Sequence, residues 1–221
     1  MSRLSNSGND LRTCMGERDE IGELRAVNGA DWNLEIGALA EISAEQNGPA
    51  LLFDEIKGYP KGFRILANIF AGQRRTGMTL GLPRDLSGVA LLNAWRTRLR
   101  DFKPVATKTV AKGPLLDNVI EGDAVDLTRF PTPLWHEKDG GRYIGTGDAV
   151  ITRDPDTGAV NLGTYRCMIQ GKNRISVKMN KGKHGRLAMQ KYHAMGKPCP
   201  IAVSVGHAPQ IFMAAQLPMP H

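Results

Sequence analysis

The chain has 221 residues, 41% of them hydrophobic and 23% charged, a composition typical of a globular protein with one large domain or two modest ones. No run of about 18 apolar residues is present, which excludes a transmembrane helix. The net charge of +7 favours acidic partners such as phosphates and carboxylate substrates.

The first half of the chain alternates helix and strand patterns. Residues 1–9 are predicted to be a polar tail, and residues 10–104 a small α/β domain. Asp10 is a candidate N-cap for a first helix that carries the apolar positions Leu11 and Leu24. The elements predicted after it are a helix from residue 34 to a turn at 47–48, strands over 50–53 and 63–70, a helix over 74–80, and a helix that Asp85 opens and that runs through Val89, Leu92, Trp95 and Leu99.

The second half of the chain is predicted to be rich in β-structure. Lys103-Pro104 marks the predicted boundary, and residues 105–221 form the second domain. Its predicted elements are an edge strand over 105–110, strands over 149–152 and 163–170 around a hairpin turn at 154–158, a strand over 174–179, a helix over 185–195 and a strand over 201–205. The predicted fold class is therefore α+β, a small α/β domain followed by an incomplete split β-barrel.

The first candidate site motif is the segment from Asn161 to Arg166. The amide oxygen of asparagine is a neutral hard ligand suited to Mg²⁺ or Mn²⁺. Arg166 lies five residues further on, and odd offsets in a strand point to opposite faces. The two side chains therefore share a pocket only if the strand bulges or begins after Asn161. A turn asparagine followed by a solvated arginine is the alternative interpretation.

The second candidate is the basic loop of residues 179–186, which leaves a strand and enters a helix. Backbone N–H groups at a helix start favour anions, so a phosphate group would be stabilised there. Lys183 and Arg186 add positive charge, and His184 is placed to bind a metal or a phosphate. An ordinary surface histidine is the alternative. The residues alone thus predict a phosphate-binding loop without specifying a reaction.

Several ordered motifs together resemble the UbiD-type decarboxylases. They are the connector 131–143, the hairpin 152–155, the segments 161–166 and 171–174, His184, and the segments 206–209 and 217–220. The similarity runs from about Asp10 to the last residue. A series of motifs in the right order and spacing is more specific than any one of them.

The resemblance implies a cofactor and a set of residues that hold it. The family binds prenylated flavin mononucleotide in a split barrel resembling flavin reductases. A divalent metal, usually Mn²⁺, joins the phosphate to an Asn, a His and a Glu, with K⁺ or Na⁺ nearby. Asn161 and His184 match the first two metal ligands, and Arg166 matches the catalytic arginine. The positions that match cofactor-contacting residues are Asn161, Thr164, Tyr165, Arg166, Lys183, His184, Gln216, Leu217 and Pro218.

The resemblance also implies a reaction, the reversible non-oxidative decarboxylation of an aromatic, heteroaromatic or α,β-unsaturated carboxylic acid. A flavin prenyltransferase supplies the family's cofactor, and the full-length form is expected to be a cytoplasmic homo-oligomer. The family's metal-binding Glu and its proton-donating acids follow the Pro-x-Pro loop and so fall beyond His221. This chain is therefore expected to carry only part of the active site and to be inactive alone.

Two alternatives stay open at the level of the sequence. The chain could be a flavin-binding protein without decarboxylase activity, or a regulatory or interaction fragment. Neither a nucleic-acid partner nor a membrane partner is expected, because aromatic residues are sparse and the basic residues cluster at the loop. The three cysteines form no C-x-x-C pair, which favours reduced thiols over a zinc site or a disulfide framework.

Overall fold

The computed structural model describes residues 10–103 and 105–217. In this part of the chain the helices are α1 (Leu11–Asp19), α2 (Glu35–Glu45), α3 (Gln73–Thr79), α4 (Gly88–Arg100), α5 (His184–Ala194) and α6 (Pro209–Gln216). The strands are β1 (Leu24–Asn28), β2 (Ala50–Asp54), β3 (Ile65–Ala67), β4 (Tyr143–Gly145), β5 (Ala149–Arg153), β6 (Val160–Gly163), β7 (Arg166–Gly171), β8 (Arg174–Lys178) and β9 (Ile201–Ser204).

The strands form three sheets of three strands each. The first has the order β1-β2-β3, with β1 parallel and β3 antiparallel to β2. The other two are antiparallel and have the orders β4-β7-β8 and β6-β5-β9. The predicted mixed α+β class is confirmed. Over the residues that the structure describes, the sheets do not close into a barrel.

The first helix begins as predicted and ends earlier. The carboxylate of Asp10 accepts the backbone N–H of Thr13 at 2.9 Å, which confirms it as the N-cap of α1. The prediction that Leu24 belongs to this helix is wrong, because Leu24 begins β1. Gly22 lies between the two elements with φ of +72°, a conformation that ends a right-handed helix.

The main core of the first region lies between α2 and the first sheet. Ile36 and Phe53 are fully buried, and Ile56 is 1% exposed. Burying a side chain of this size contributes about 1.5–3 kcal/mol. The predicted second helix and the strand over 50–53 are confirmed, since α2 and β2 cover them. The strand predicted over 63–70 is shorter than expected and forms only at β3.

Helix α4 is shifted and rotated from its prediction. Its N-cap is Ser87, whereas Asp85 lies in a turn before it. Leu91 is the buried residue of this helix, while Val89 is 72% and Leu92 61% exposed. The periodicity correctly predicted a helix. It did not predict that the face with Leu91, rather than the face with Val89 and Leu92, packs against α3.

The edge strand predicted over residues 105–110 is wrong. These residues are exposed and adopt no regular structure, and 3₁₀ turns follow at Pro114–Leu116, Gly122–Ala124 and Leu127–Arg129. A strand needs a neighbouring strand to receive its hydrogen bonds. The alternating pattern of this segment has no such partner among the described residues.

Arg142 joins the first region to the start of β4. Its guanidinium lies 4.0 Å from the centre of the Trp32 ring, a distance suited to a cation–π contact. The same group donates to the carbonyl of Thr132 at 2.6 Å and to the hydroxyl of Tyr59. One half-buried cation thus holds the connector 131–143 against the first region of the chain.

The chain after β4 contains both predicted turns. Asp154 accepts backbone N–H groups of the hairpin turn, and Gly158 has φ of +73°. The turn after Gly171 joins β7 to β8. The continuous strand predicted over 163–170 is wrong, because it divides at residues 164–165 into β6 and β7, which belong to different sheets.

The helix over 184–194 and the strand over 201–204 agree with their predictions within one residue. Helix α6 was missed, because its first residue, Pro209, favours an extended reading. Proline is common at the first position of a helix, where its absent N–H is not needed. Leu217 follows α6 with an extended backbone, and Pro218 lies outside the described residues.

We expect Gly37→Ala to destabilise the protein by about 1–3 kcal/mol, the usual cost of overpacking. A Cβ added to Gly37 would lie 1.8 Å from the carbonyl oxygen of Trp135, so α2 would have to move off the connector. Urea denaturation followed by circular dichroism measures the change in the free energy of unfolding.

Gly16→Ala is the matched control, because Gly16 is also helical and a Cβ there meets nothing within 4 Å. This change should leave stability unaltered or raise it by about 0.5–1 kcal/mol. Equal unfolding energies for the two variants would contradict the packing of α2 against the connector.

Candidate functional site

The segment from Asn161 to Arg166 crosses from one sheet to another. Asn161 lies on β6 opposite Thr152, and its amide nitrogen contacts the Thr152 hydroxyl at 3.4 Å. Arg166 begins β7 opposite Lys178. Asn161 and Arg166 therefore lie on two separate strands. The rule that residues at odd offsets along one strand point to opposite faces does not apply to them.

Tyr165 fills the space beneath this crossing. Its ring packs between Gly163 and Gly185, where an added Cβ would lie 2.8 Å and 3.3 Å from the ring carbon Cε2. Its hydroxyl accepts the backbone N–H of Gly185, in the first turn of α5, at 3.3 Å. The two glycines allow the close approach, and the tyrosine ties the crossing to the start of α5.

A small cavity of about 150 Å³ lies at this junction. Its lining residues are Thr164, Tyr165, Arg166, Lys178, Asn180 and Lys183. Three of these side chains are cations and none is an acid. A cavity with this balance of charge favours an anion of the size of a phosphate or a carboxylate.

The start of α5 adds to this preference. Lys183 is its N-cap residue with an extended backbone, and His184 is its first helical residue. Gly182 precedes them with φ of +84°, a conformation that glycine adopts without strain. The positive end of the helix dipole lies at this loop.

Four of the predicted site residues meet at the small cavity, namely Thr164, Tyr165, Arg166 and Lys183. Four others are described but do not line it, namely Asn161, His184, Gln216 and Leu217. Gln216 ends α6, and Leu217 follows it with an extended backbone. Pro218 lies outside the described residues, so its predicted position is not tested.

Lys178 and Asn180 line the cavity but were not predicted as site residues. The signal that could have found Lys178 is the hairpin register. Counting outward from the turn at 171–173, and allowing for the irregularity beside Gly171, places Lys178 opposite Arg166. Asn180 belongs to the basic loop but carries no charge to draw attention to it.

A larger cavity of about 730 Å³ lies between β3, the connector and the start of α6. Phe70 and Phe212 stack at one of its walls with their ring centres 5.2 Å apart. His207 also lines it and contacts the hydroxyl of Ser204 at 3.2 Å. Burial lowers the pKa of His207, which favours its neutral form.

The middle of α5 is fixed to the hairpin turn by an ion pair. The ammonium of Lys191 lies 2.6 Å from the carboxylate of Asp154 and 2.8 Å from that of Asp156. The Lys191 hydrogen bond, followed by the backbone N–H of Thr157, lowers the pKa of Asp154 to about 2. The helix is thereby held at its start by Tyr165 and further along by Lys191.

The described residues contain no group of three or more His, Cys, Asp and Glu side chains that could hold a metal ion. Asn161 and His184, the two predicted ligands, lie on β6 and at the start of α5, and α5 packs against β6. No helix in the described part of the chain is long and apolar enough to cross a membrane.

Comparison with known proteins identifies the class to which this fold and site belong. Residues 107–221 match the 3-octaprenyl-4-hydroxybenzoate carboxy-lyase Rift-related domain, and residues 16–95 match the N-terminal domain of the same family. The first match covers more than half of the chain. The chain therefore belongs to the UbiD family, as its sequence motifs predicted.

Individual relatives agree with this assignment. The chain is 32% identical over 225 aligned residues to pyrrole-2-carboxylic acid decarboxylase of Pseudomonas aeruginosa, which covers 98% of this chain and 45% of the relative. The closed form of vanillic acid decarboxylase from Sedimentibacter hydroxybenzoicus superposes with a TM-score of 0.86 at 28% identity, over 96% of this chain and 46% of that one. The chain thus spans about half the length of these relatives.

A third relative shows the same fold at lower identity. The UbiD-class enzyme HmfF from Pelotomaculum thermopropionicum, solved in complex with prenylated FMN, has a TM-score of 0.83 and 24% identity. The alignment covers 96% of this chain and 47% of that chain.

We expect Lys191→Met to raise the pKa of Asp154 from about 2 toward its ordinary value of 3.8, because the largest cause of the lowering is removed. The folded-state pKa is lower than the unfolded one, so the ion pair stabilises the fold above about pH 4 and the effect is lost as pH falls toward 2. Carboxyl ¹³C NMR titration measures the pKa directly.

Lys197→Met serves as the control, since this lysine follows the same helix, is exposed and has no ion pair among the described residues. The stability difference between wild type and Lys191→Met should shrink between about pH 4 and pH 2. An unchanged Asp154 pKa in that variant would show that the ion pair does not form.

Proposed function

We propose that the chain serves in the reversible non-oxidative decarboxylation of an aromatic, heteroaromatic or α,β-unsaturated carboxylic acid with prenylated FMN. The observation that carries the proposal is the meeting of Thr164, Tyr165, Arg166 and Lys183 at one cationic cavity beside the start of α5. Membership of the UbiD family and the prenylated FMN complex of HmfF support the choice of reaction and cofactor.

The donors at this cavity fit the phosphate of a flavin mononucleotide. Lys178 and Lys183 supply ammonium groups, Thr164 supplies a hydroxyl, and all three line the same space. Phosphate oxygens accept such donors strongly, and the start of a helix adds favourable backbone N–H groups. We propose that these groups hold the cofactor phosphate, with Gln216, Leu217 and Pro218 beside the flavin.

Asn161 and His184 would hold a divalent metal, with Mn²⁺ the expected ion and K⁺ or Na⁺ nearby. The contact of Asn161 with Thr152 uses the amide nitrogen, and the amide oxygen is the atom that Mn²⁺ prefers. Imidazole nitrogen is also a common metal ligand. These two residues form a partial donor set, and a third ligand is needed to complete the site that the family uses.

The role proposed for Arg166 is to hold the carboxylate of the acid. Its guanidinium stays charged at any working pH and can bind a carboxylate through two hydrogen bonds. Loss of CO₂ leaves electron density on a carbon atom, and the prenylated flavin supplies the electron sink when it is bound. Arg166 would orient the leaving group relative to that sink and would neutralise the charge of the acid on entry.

The wider assignments follow from the same proposal. Residues 10–104 and 105–221 would be two domains, the second built as a split barrel resembling flavin reductases. A flavin prenyltransferase would supply the cofactor in the cytoplasm, and the full-length form would assemble as a homo-oligomer. The acids that donate protons would come from outside the small cavity, because no acid lines it.

We expect Arg166→Ala, introduced in the full-length form, to lower kcat/KM for decarboxylation by at least about 10²-fold, the usual loss when a charge-stabilising group is removed from an active site. Flavin binding should persist, because the two lysines and the start of α5 remain. The assay measures CO₂ release from pyrrole-2-carboxylate and vanillate by protein produced together with a flavin prenyltransferase, and the flavin is measured by its absorbance.

Arg174→Ala is the control, since Arg174 is an exposed arginine at the far end of the same hairpin. Loss of the flavin in Arg166→Ala would show that the role assigned to Arg166 is wrong. A full-length wild type that retains flavin and releases no CO₂ would favour the second candidate function, a flavin-binding or regulatory protein. Its specific support is the absence of any acid from the described lining of the cationic cavity.

We expect His184→Ala to lower the Mn²⁺ content and the retained flavin together, because the metal would join the phosphate to the protein. Mass spectrometry of the metal and absorbance of the flavin in dialysed protein measure the two quantities. His193→Ala removes an exposed histidine of the same helix and controls for loss of imidazole. Unchanged Mn²⁺ content in His184→Ala would count against its role as a ligand.

A further inference from the structure

Two of the short crossings between sheets lie next to each other in the fold. The first change lies between β4 and β5, at residues 146–148, and the second lies between β6 and β7, at residues 164–165. Both pass between the β4-β7-β8 sheet and the β6-β5-β9 sheet. Arg166 follows directly after the second change, so its position depends on how that crossing is fixed.

A buried hydrogen bond joins the two crossings. The thiol of Cys167 donates to a carboxylate oxygen of Asp148 at 3.1 Å, and its sulfur lies 3.7 Å from the carbonyl oxygen of Tyr165. Asp148 is 1% exposed and Cys167 is fully buried. The side chain at the end of the first crossing is thereby tied to the first residues of β7.

The packing around this bond leaves little freedom. Gly145 lies opposite Cys167 in the β4–β7 ladder. A Cβ added to Gly145 would lie 2.7 Å from the carboxyl carbon of Asp148 and 2.8 Å from Cβ of Cys167. The carboxyl group and the cysteine therefore fill the space that the missing side chain of this glycine leaves open.

A purely structural role does not explain these residue types well. One carboxyl oxygen of Asp148 is buried and receives no hydrogen bond from another of the described residues. A buried polar atom left unpaired costs about 1–3 kcal/mol. An apolar side chain of similar size would fill the same space without that cost, so the pair is better explained by the geometry it fixes than by the stability it provides.

We propose that Asp148 and Cys167 are a pair of positioning residues that fix the backbone at Tyr165 and Arg166. Through Tyr165 the pair also sets the start of α5, because the tyrosine hydroxyl accepts the Gly185 N–H. Neither Asp148 nor Cys167 lines the small cavity. The catalytic importance of Arg166 rests on the proposed function. The link from Asp148 and Cys167 through Tyr165 to the start of α5 does not depend on that function.

The first test needs no ligand. Cys167→Ala removes the donor, and Cys167→Ser keeps a donor at the same place. Amide hydrogen exchange of Gly185 and the ¹⁵N shift of Arg166 are measured by NMR in the full chain. We expect exchange at Gly185 to rise about fivefold in Cys167→Ala, and by less than about twofold in Cys167→Ser, because local opening follows the loss of a local hydrogen bond.

Asp148→Asn and Asp148→Ala test the other partner, since the first keeps an acceptor oxygen and the second removes it. Combining Asp148→Ala with Cys167→Ala gives a double-mutant cycle, in which the two effects should be less than additive. If Asp148→Ala fails to fold, Asp148→Asn with the two cysteine variants still decides the proposal.

Phe53→Leu controls for a general loss of stability, because Phe53 is fully buried in β2, which belongs to the first sheet. The proposal would be overturned if Cys167→Ala raised amide exchange at Gly185 no more than Phe53→Leu does. It would also be overturned if exchange at Gly185 were the same in Cys167→Ala and wild type. A response specific to Cys167→Ala and relieved in Cys167→Ser supports it.

The flavin-loaded enzyme in its full-length form, both wild type and variants, provides the second measurement. We expect kcat/KM to fall about tenfold in Cys167→Ala and to recover in Cys167→Ser, since a displaced reactive group lowers the rate strongly. If wild type releases no CO₂ while exchange at Gly185 responds as expected, the proposed function fails and the positioning link stands. If wild type is active and neither exchange at Gly185 nor kcat/KM changes in the cysteine variants, the positioning link fails and the proposed function stands.

Discussion

The change of sheet at Thr164 and Tyr165 is the constraint on which the candidate site depends. Because β6 ends at Gly163 and β7 begins at Arg166, residues that are close in sequence are carried into two different sheets. The tyrosine ring occupies the space that two glycines leave open, and its hydroxyl reaches the backbone of α5. The cationic cavity forms where these three parts of the chain meet.

Electrostatics gives this junction its chemical character. Three exposed cations line the small cavity without an acid among its lining residues, and their combined charge favours an anion there. Helix α5 directs its positive end to the same place and is held there by Lys191, whose ion pairs with Asp154 and Asp156 reach the hairpin turn. The hairpin, although distant from the cavity along the chain, therefore helps to orient it.

The two regions of the chain are connected by packing rather than by a shared sheet. Arg142 lies over Trp32 and bonds to the connector, and Gly37 lets α2 approach the backbone of Trp135. The larger cavity lies along this contact and has both regions in its walls. The match of two neighbouring family domains to the two parts of the chain is consistent with this arrangement.

The sequence by itself determined the features that depend on local chemistry. The cap at Asp10, the hairpin turn at Asp154 and the helix after Lys183 could be predicted because each is specified by residues within one turn of the chain. The ordered motifs also identified the family, whereas anion binding at the basic loop stays a prediction.

Only the tertiary structure decided the features that depend on a distant partner. The strand predicted over 105–110 is absent and β1 was missed, because hydrogen bonding to a neighbouring strand, and not alternation alone, makes a strand. The break at Tyr165 follows from the pairing of β6 and β7 with strands of different sheets, which no local pattern encodes. The sequence shows which residue types are present, but which side chains lie together depends on which strands pair in the folded chain.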